Sequence, residues 1–83
     1  MKEFLYFSAT WCGPCLQLSP IMNELQRDGY IVRKVDVDSQ PNLAPQYNVK
    51  TIPTVILLNN GQEVARQVGN SPKSRYINMW NNS

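Results

Sequence analysis

Cys12 and Cys15 are the only cysteines in the chain, and they fall where one hydrophobic period gives way to another. Before them, Glu3 to Ser8 is dense in aromatic and apolar side chains and ends on the small polar stretch Ser8-Ala9-Thr10, the pattern of a buried strand followed by a turn. After them, Leu18, Ile21, Met22 and Leu25 are spaced three, one and three apart, which lays them along one face of a helix. That helix is expected to run from Cys12 to about Asp28 and to end at Gly29, with Pro20 inside it removing one backbone donor and bending it. The cysteine pair thus marks a strand-to-helix junction.

The rest of the chain continues in the same way. Tyr30 to Val37 is rich in β-branched residues and reads as a second strand, broken by Asp38-Ser39-Gln40-Pro41. A short helix is expected around Asn42 to Asn48, confined by Pro45 to a turn or so. Thr54 to Leu58 and Gln62 to Val68 form a hairpin about Asn59-Asn60-Gly61. Ser71-Pro72 reads as a cap followed by a first-turn proline, opening a last helix on which Tyr76, Ile77 and Trp80 share a face. The order βαβαββα starts with a parallel βαβ unit and finishes with an antiparallel hairpin. An α/β fold follows, a mixed four-stranded sheet with helices on both faces and the first strand central. Cys12 then lies at the carboxyl end of a central strand and the amino end of a helix, where open α/β sheets place their sites.

Composition narrows the function. At 83 residues the chain is expected to be a single domain, 1–83, that hides only about 60% of its unfolded surface. Eight basic residues (Lys2, Arg27, Arg33, Lys34, Lys50, Arg66, Lys73, Arg75) stand against six acidic ones and are scattered, so no nucleic-acid patch is expected. Phe4-Leu5-Tyr6-Phe7 is too short for a membrane span and lacks the long apolar region and cleavage site of a secretory signal, so a cytoplasmic protein that does not bind membranes is expected. A bridge between residues three apart closes too small a loop to act mainly as a staple. Pairs of this spacing are reactive or metal-binding. With no histidine in the chain, a four-ligand metal site would need a dimer, so the residues favour redox chemistry with no metal or cofactor.

Trp11-Cys12-Gly13-Pro14-Cys15 resembles the active site of thioredoxins, and Pro20, Thr51-Ile52-Pro53-Thr54, Asn60-Gly61 and Val68-Gly69 are similar to that family's landmarks in the same order. The resemblance covers nearly the whole chain, apart from the family's extra N-terminal strand and helix, and implies a thioredoxin-like fold and thiol-disulfide oxidoreductase activity. Thiolate, not thiol, attacks disulfides, and a helix amino terminus favours the anion through its unpaired N–H groups and dipole. A thiol of pKa about 8.5 is about 3% ionised at pH 7, whereas one at about 7, the general figure for thioredoxins, is half ionised. Cys12 is therefore expected to attack, and Cys15, on the same helix face, to resolve the mixed disulfide. Pro14 stiffens the loop, Gly13 leaves the approach uncrowded and Trp11 supplies an apolar platform. Ile52-Pro53 resembles the family's cis-proline loop, which leaves the backbone of the preceding residue free to bond an incoming chain, and Val68-Gly69 resembles the third wall of that groove. The cis state follows from the resemblance alone, since only about 5 to 6% of X-Pro bonds are cis.

Two positions depart from the family pattern. Six residues before Cys12, where the family usually carries a buried aspartate beneath the second cysteine, stands Tyr6, so the Cys15 proton is expected to leave to water or to a less well placed group. Lys34, which matches a family lysine near that aspartate, is left as a solvated charge. Ser8 stands where many thioredoxins have another tryptophan, which implies a smaller apolar rim. Gly-Pro between the cysteines favours a thioredoxin-type reductant over a glutaredoxin-like, glutathione-coupled one, although the length is closer to a glutaredoxin. A further alternative is a thioredoxin-like binding subunit of a larger complex with incidental redox activity. The expectation is a cytosolic, monomeric reductant of disulfide-containing client proteins, recharged by thioredoxin reductase or by glutathione.

Overall fold

The structure, a computed structural model, describes residues 1–83. The alternation in Phe4-Leu5-Tyr6-Phe7 sends successive side chains to opposite faces, and all four are buried, so strand β1 (Lys2–Ser8) must lie inside the sheet. The same holds for Val55 to Leu58 in β3 (Thr54–Asn59). The sheet accordingly has the order β2-β1-β3-β4, with β2 at Val32–Asp36 and β4 at Gln62–Val68. β1 pairs in parallel with β2, Tyr6 opposite Lys34, and antiparallel with β3, Tyr6 opposite Val55.

Each face of β1 and β3 has its own core. Phe4, Tyr6, Val55 and Leu57 pack with Leu18, Met22 and Leu25 of helix α1 (Gly13–Arg27) and with Tyr76 and Met79 of α3 (Lys73–Asn81). Leu5, Phe7, Val35, Ile56 and Leu58 form the opposite layer, covered by Leu43 and Ala44 of α2 (Leu43–Gln46) and by Tyr47. Helices therefore cover both faces of a mixed sheet, as the apolar patterns predicted. No helix is long and apolar enough to cross a membrane.

The element ends show local chemistry. α1 closes in a Schellman motif: Gly29, at φ +99°, donates to Gln26 O, and Tyr30 N–H donates to Leu25 O. That closure occupies Tyr30, so β2 starts at Val32, two residues later than the β-branched run suggested. Asn60 and Gly61 sit at φ +54° and +83°, the positive values a two-residue type I′ hairpin requires. β4 carries a register shift opposite Leu57/Leu58. The cap expected at Ser71 is displaced: Pro72 itself is the N-cap, with ψ 157°, and α3 begins at Lys73. Lys73 ties α3 to α1 through Asp28 at 2.7 Å and Glu24 at 3.3 Å.

Candidate active site

β1 ends at Ser8, and its chain turns through Ala9 to Trp11, with Cys12 N–H donating to Ala9 O at 3.3 Å. Cys12 is the N-cap of α1, in extended conformation (φ −89°, ψ 111°), where a helix ordinarily places Ser or Asp. Its Sγ accepts the Cys15 N–H at 3.2 Å, so sulfur takes over the cap oxygen's role. That N–H is one of the orphan donors of the first turn, and the contact strengthens when the sulfur is an anion. Pro14 occupies the first turn, where a missing N–H costs nothing. Cys12 and Cys15 form a disulfide with their Cα atoms 5.2 Å apart. Cys12 remains 6% exposed and Cys15 only 1%, so an incoming sulfur has access to the first and not to the second.

Three further segments surround the pair. The Ile52-Pro53 bond is cis, Pro53 is buried, and Ile52 O lies 4.0 Å from Cys12 Sγ. Gly69, at φ +81°, donates its N–H to Pro53 O at 2.8 Å, which joins the end of β4 to that loop. Trp11 lies open to solvent at 68% exposure, its Nε1–H donating to Asp38 Oδ2 at 2.7 Å. Trp11, Val37, Ala44, Val49, Lys50 and Ile52 line an apolar pocket of about 230 Å³ on this side of the disulfide. Gly13 is exposed, and a Cβ there would meet nothing within 4 Å. The structure thus gathers Trp11, Gly13, Pro14, Ile52, Pro53 and Gly69 around Cys12.

Beneath the pair the picture is less familiar. The Tyr6 ring rises from β1 through the core, and its hydroxyl donates to Cys15 O at 2.8 Å and meets Ser19 Oγ at 3.1 Å. Ser19 Oγ–H also donates to Cys15 O, at 3.0 Å. No charged side chain is buried anywhere in the chain. Lys34 is exposed and donates to Asn23 Oδ1, on the flank of α1 and away from the disulfide. Sequence patterns did not single out Ser19 or Asp38. Ser19, four residues after Cys15, offered a signal, because a hydroxyl at that spacing reaches back to the i−4 carbonyl. Asp38 offered only its place at the carboxyl end of β2, beside the junction.

Comparison with known proteins places this geometry. A family model described as Thioredoxin matches residues 2–82. A thioredoxin of Chlamydia trachomatis is 44% identical over 75 residues, covering 88% of this chain and 74% of the relative. A bifunctional thioredoxin reductase/thioredoxin of Mycobacterium leprae is 45% identical over 74 residues, covering 86% of this chain and 16% of that longer protein. Among solved structures, the reduced Schistosoma mansoni thioredoxin pre-protein superposes with a TM-score of 0.89 at 36% identity, covering 98% of this chain and 77% of the other.

Proposed function

The chain belongs to the thioredoxin family of thiol-disulfide oxidoreductases, with Cys12 and Cys15 as its redox pair, and from that premise we propose that it runs as a reductant of protein disulfides in a reducing compartment. In the reduced protein the Cys12 thiolate attacks one sulfur of a client disulfide. The client's other sulfur leaves with the electron pair and takes a proton, and Cys12 remains in a mixed disulfide. Cys15 then gives up its proton and attacks Cys12 Sγ, the Cys12–client bond breaks, and the protein is left as the Cys12–Cys15 disulfide seen in the structure.

The single observation that carries this reading is the placement of Cys12 as the N-cap sulfur of α1, accepting the Cys15 N–H, beside a cysteine that is fully shielded. Such an arrangement favours one accessible anion and one sheltered resolving thiol. Trp11, Ile52, Pro53 and Gly69 form the walls against which a client segment lies, and the Ile52 backbone is the strand partner for its main chain. The absence of any cysteine outside the pair agrees with a compartment where disulfides are not used for stability.

We further propose a thioredoxin reductase as the electron donor, in keeping with the Mycobacterium leprae relative, whose name couples both activities in one chain. The test is an insulin-reduction assay run with NADPH plus thioredoxin reductase in one arm and glutathione plus its reductase in the other. Turnover is expected in the first arm, with Cys12→Ser inactive. Turnover in the glutathione arm alone reassigns the donor, and none in either arm refutes the reductant role.

A further inference from the structure

We propose that Tyr6 is a positioning residue for the exchange reaction: through its hydroxyl and Ser19 Oγ it holds the Cys15 carbonyl and keeps the resolving sulfur in register with Cys12. The inference rests on the redox reading above and concerns its second step. Once the disulfide opens, Cys15 keeps its place in α1 and its N–H on Cys12 Sγ, but no polar side chain grips its sulfur. Cys15 clusters with Ala9 and Cys12, and Val37 and Ile52 pack against that cluster; none of Ala9, Val37 and Ile52 has a polar side-chain atom to grip a thiol. The helix around it is weakened nearby, because Pro20 has no N–H for the carbonyl of Leu16 and its ring presses on that same carbonyl.

Tyr6 supplies an outside anchor. It is 1% exposed and lies in a central strand, paired with Lys34 on β2 and with Val55 on β3, so its backbone is held on both sides by the sheet. Its hydroxyl crosses from sheet to helix to reach Cys15 O at 2.8 Å, and Ser19 Oγ closes a triangle with contacts of 3.1 and 3.0 Å. Whichever hydroxyl donates in the Tyr6–Ser19 contact, at least one hydrogen is directed at the Cys15 carbonyl. A neutral hydroxyl pair therefore connects the turn bearing Cys15 to the sheet.

The step it serves is sensitive to position. In it the Cys15 thiolate forms the bond to Cys12 Sγ while the Cys12–client bond breaks, the client sulfur leaving as thiolate and then taking a proton. Loss of alignment lowers the effective concentration of Cys15 at Cys12. The attack by Cys12 precedes this and does not use the Cys15 sulfur.

Reaction of the fully reduced protein with the aromatic disulfide 5,5′-dithiobis(2-nitrobenzoate) separates the two steps, since each releases one coloured thiolate. In Tyr6→Phe the first release is expected to proceed at the parent rate. The second slows about five- to tenfold, as loss of one buried neutral hydrogen bond implies. Equilibration against glutathione should show the same factor as a reduction potential less negative by about 20 to 30 mV. Ser19→Ala, which keeps the Tyr6 ring in the core, should act in the same direction by about two- to threefold. It carries the test alone if Tyr6→Phe does not fold. Unchanged second release and potential in the folded variants overturn the proposal, as does equal slowing of both releases. Absence of the first release in the parent protein refutes the redox reading instead.

Discussion

Two tyrosines meet in the core on the α1 and α3 side of the sheet, and their hydroxyls have opposite fates. Tyr6 is fully bonded, whereas the Tyr76 hydroxyl is buried with no partner in hydrogen-bond geometry, Ser71 lying close enough to act on its pKa but not in that geometry. Tyr76→Phe removes one oxygen and leaves the ring, including its edge contact with Phe4 at 6.3 Å between centroids. An unsatisfied buried polar group costs about 1 to 3 kcal/mol, so the variant is expected to be more stable by about 1 kcal/mol at neutral pH, allowing for the small void the oxygen leaves. In a domain of this size that corresponds to about 4 to 8 °C in Tm. Tyr6→Phe should lose about 1 kcal/mol. The pH dependence adds a sign. Burial raises the pKa of Tyr76, only partly opposed by Ser71 and Arg75. Below about pH 9 the hydroxyl is protonated in both folded and unfolded chains, and its stability contribution is constant. Above that the unfolded chain loses the proton first, the folded chain holds more protons, and stability falls as pH rises. The advantage of Tyr76→Phe should therefore widen on the alkaline side. Urea unfolding of the oxidised protein at about pH 7 and about pH 10.5 measures both effects. A variant no more stable than the parent at neutral pH, or a Ser71→Ala change that destabilises the protein by 1 kcal/mol or more, refutes the orphaned hydroxyl.

Cys15→Ser, reacted with a disulfide peptide, should accumulate the Cys12 mixed disulfide in one-to-one yield, seen by intact-mass measurement, whereas the parent releases its client. Gly61→Ala should cost about 1 kcal/mol by thermal unfolding, because the residue sits at φ +83° in the hairpin turn although nothing crowds its Cβ. Asp38→Ala frees the Trp11 indole from its 2.7 Å bond, and is expected to raise KM for insulin a few-fold while leaving the alkylation rate of Cys12 unchanged.

Most of the framework was legible because the chain states it in periodicity. The four-residue apolar block of β1 marked a central strand, the apolar run of β3 marked a strand whose central place only the fold shows, and the stripe Leu18, Ile21, Met22 and Leu25 fixed the face of α1. Asn60-Gly61 specified its turn because few other pairs tolerate two positive φ values in succession. The ends were harder to read. Ser71 looked like a cap, but Pro72 adopts the extended cap conformation itself, and sequence gives no means of ranking two adjacent starts. Around the cysteines, the residues that the fold sets beside the pair were legible through their motif. The partner Asp38 was not, since a hydrogen bond across 27 residues, as from Trp11 to Asp38, leaves no local pattern, whereas Ser19 carried one in its four-residue spacing from Cys15. In the sequence Tyr6 stands only as a carboxylate missing from the family pattern, and only the fold shows that its hydroxyl spans the core to the Cys15 backbone.

The helix start at Cys12 carries the account, and thiol reactivity measures it most directly. The reduced protein is to be alkylated with iodoacetamide over about pH 5 to 10, with the modified cysteine identified by peptide mass analysis. Cys12 should react first, with a midpoint below the value of about 8.5 for a free thiol, and Cys15 should stay protected until much higher pH. Equal modification of both cysteines along the pH profile of free cysteine would contradict it.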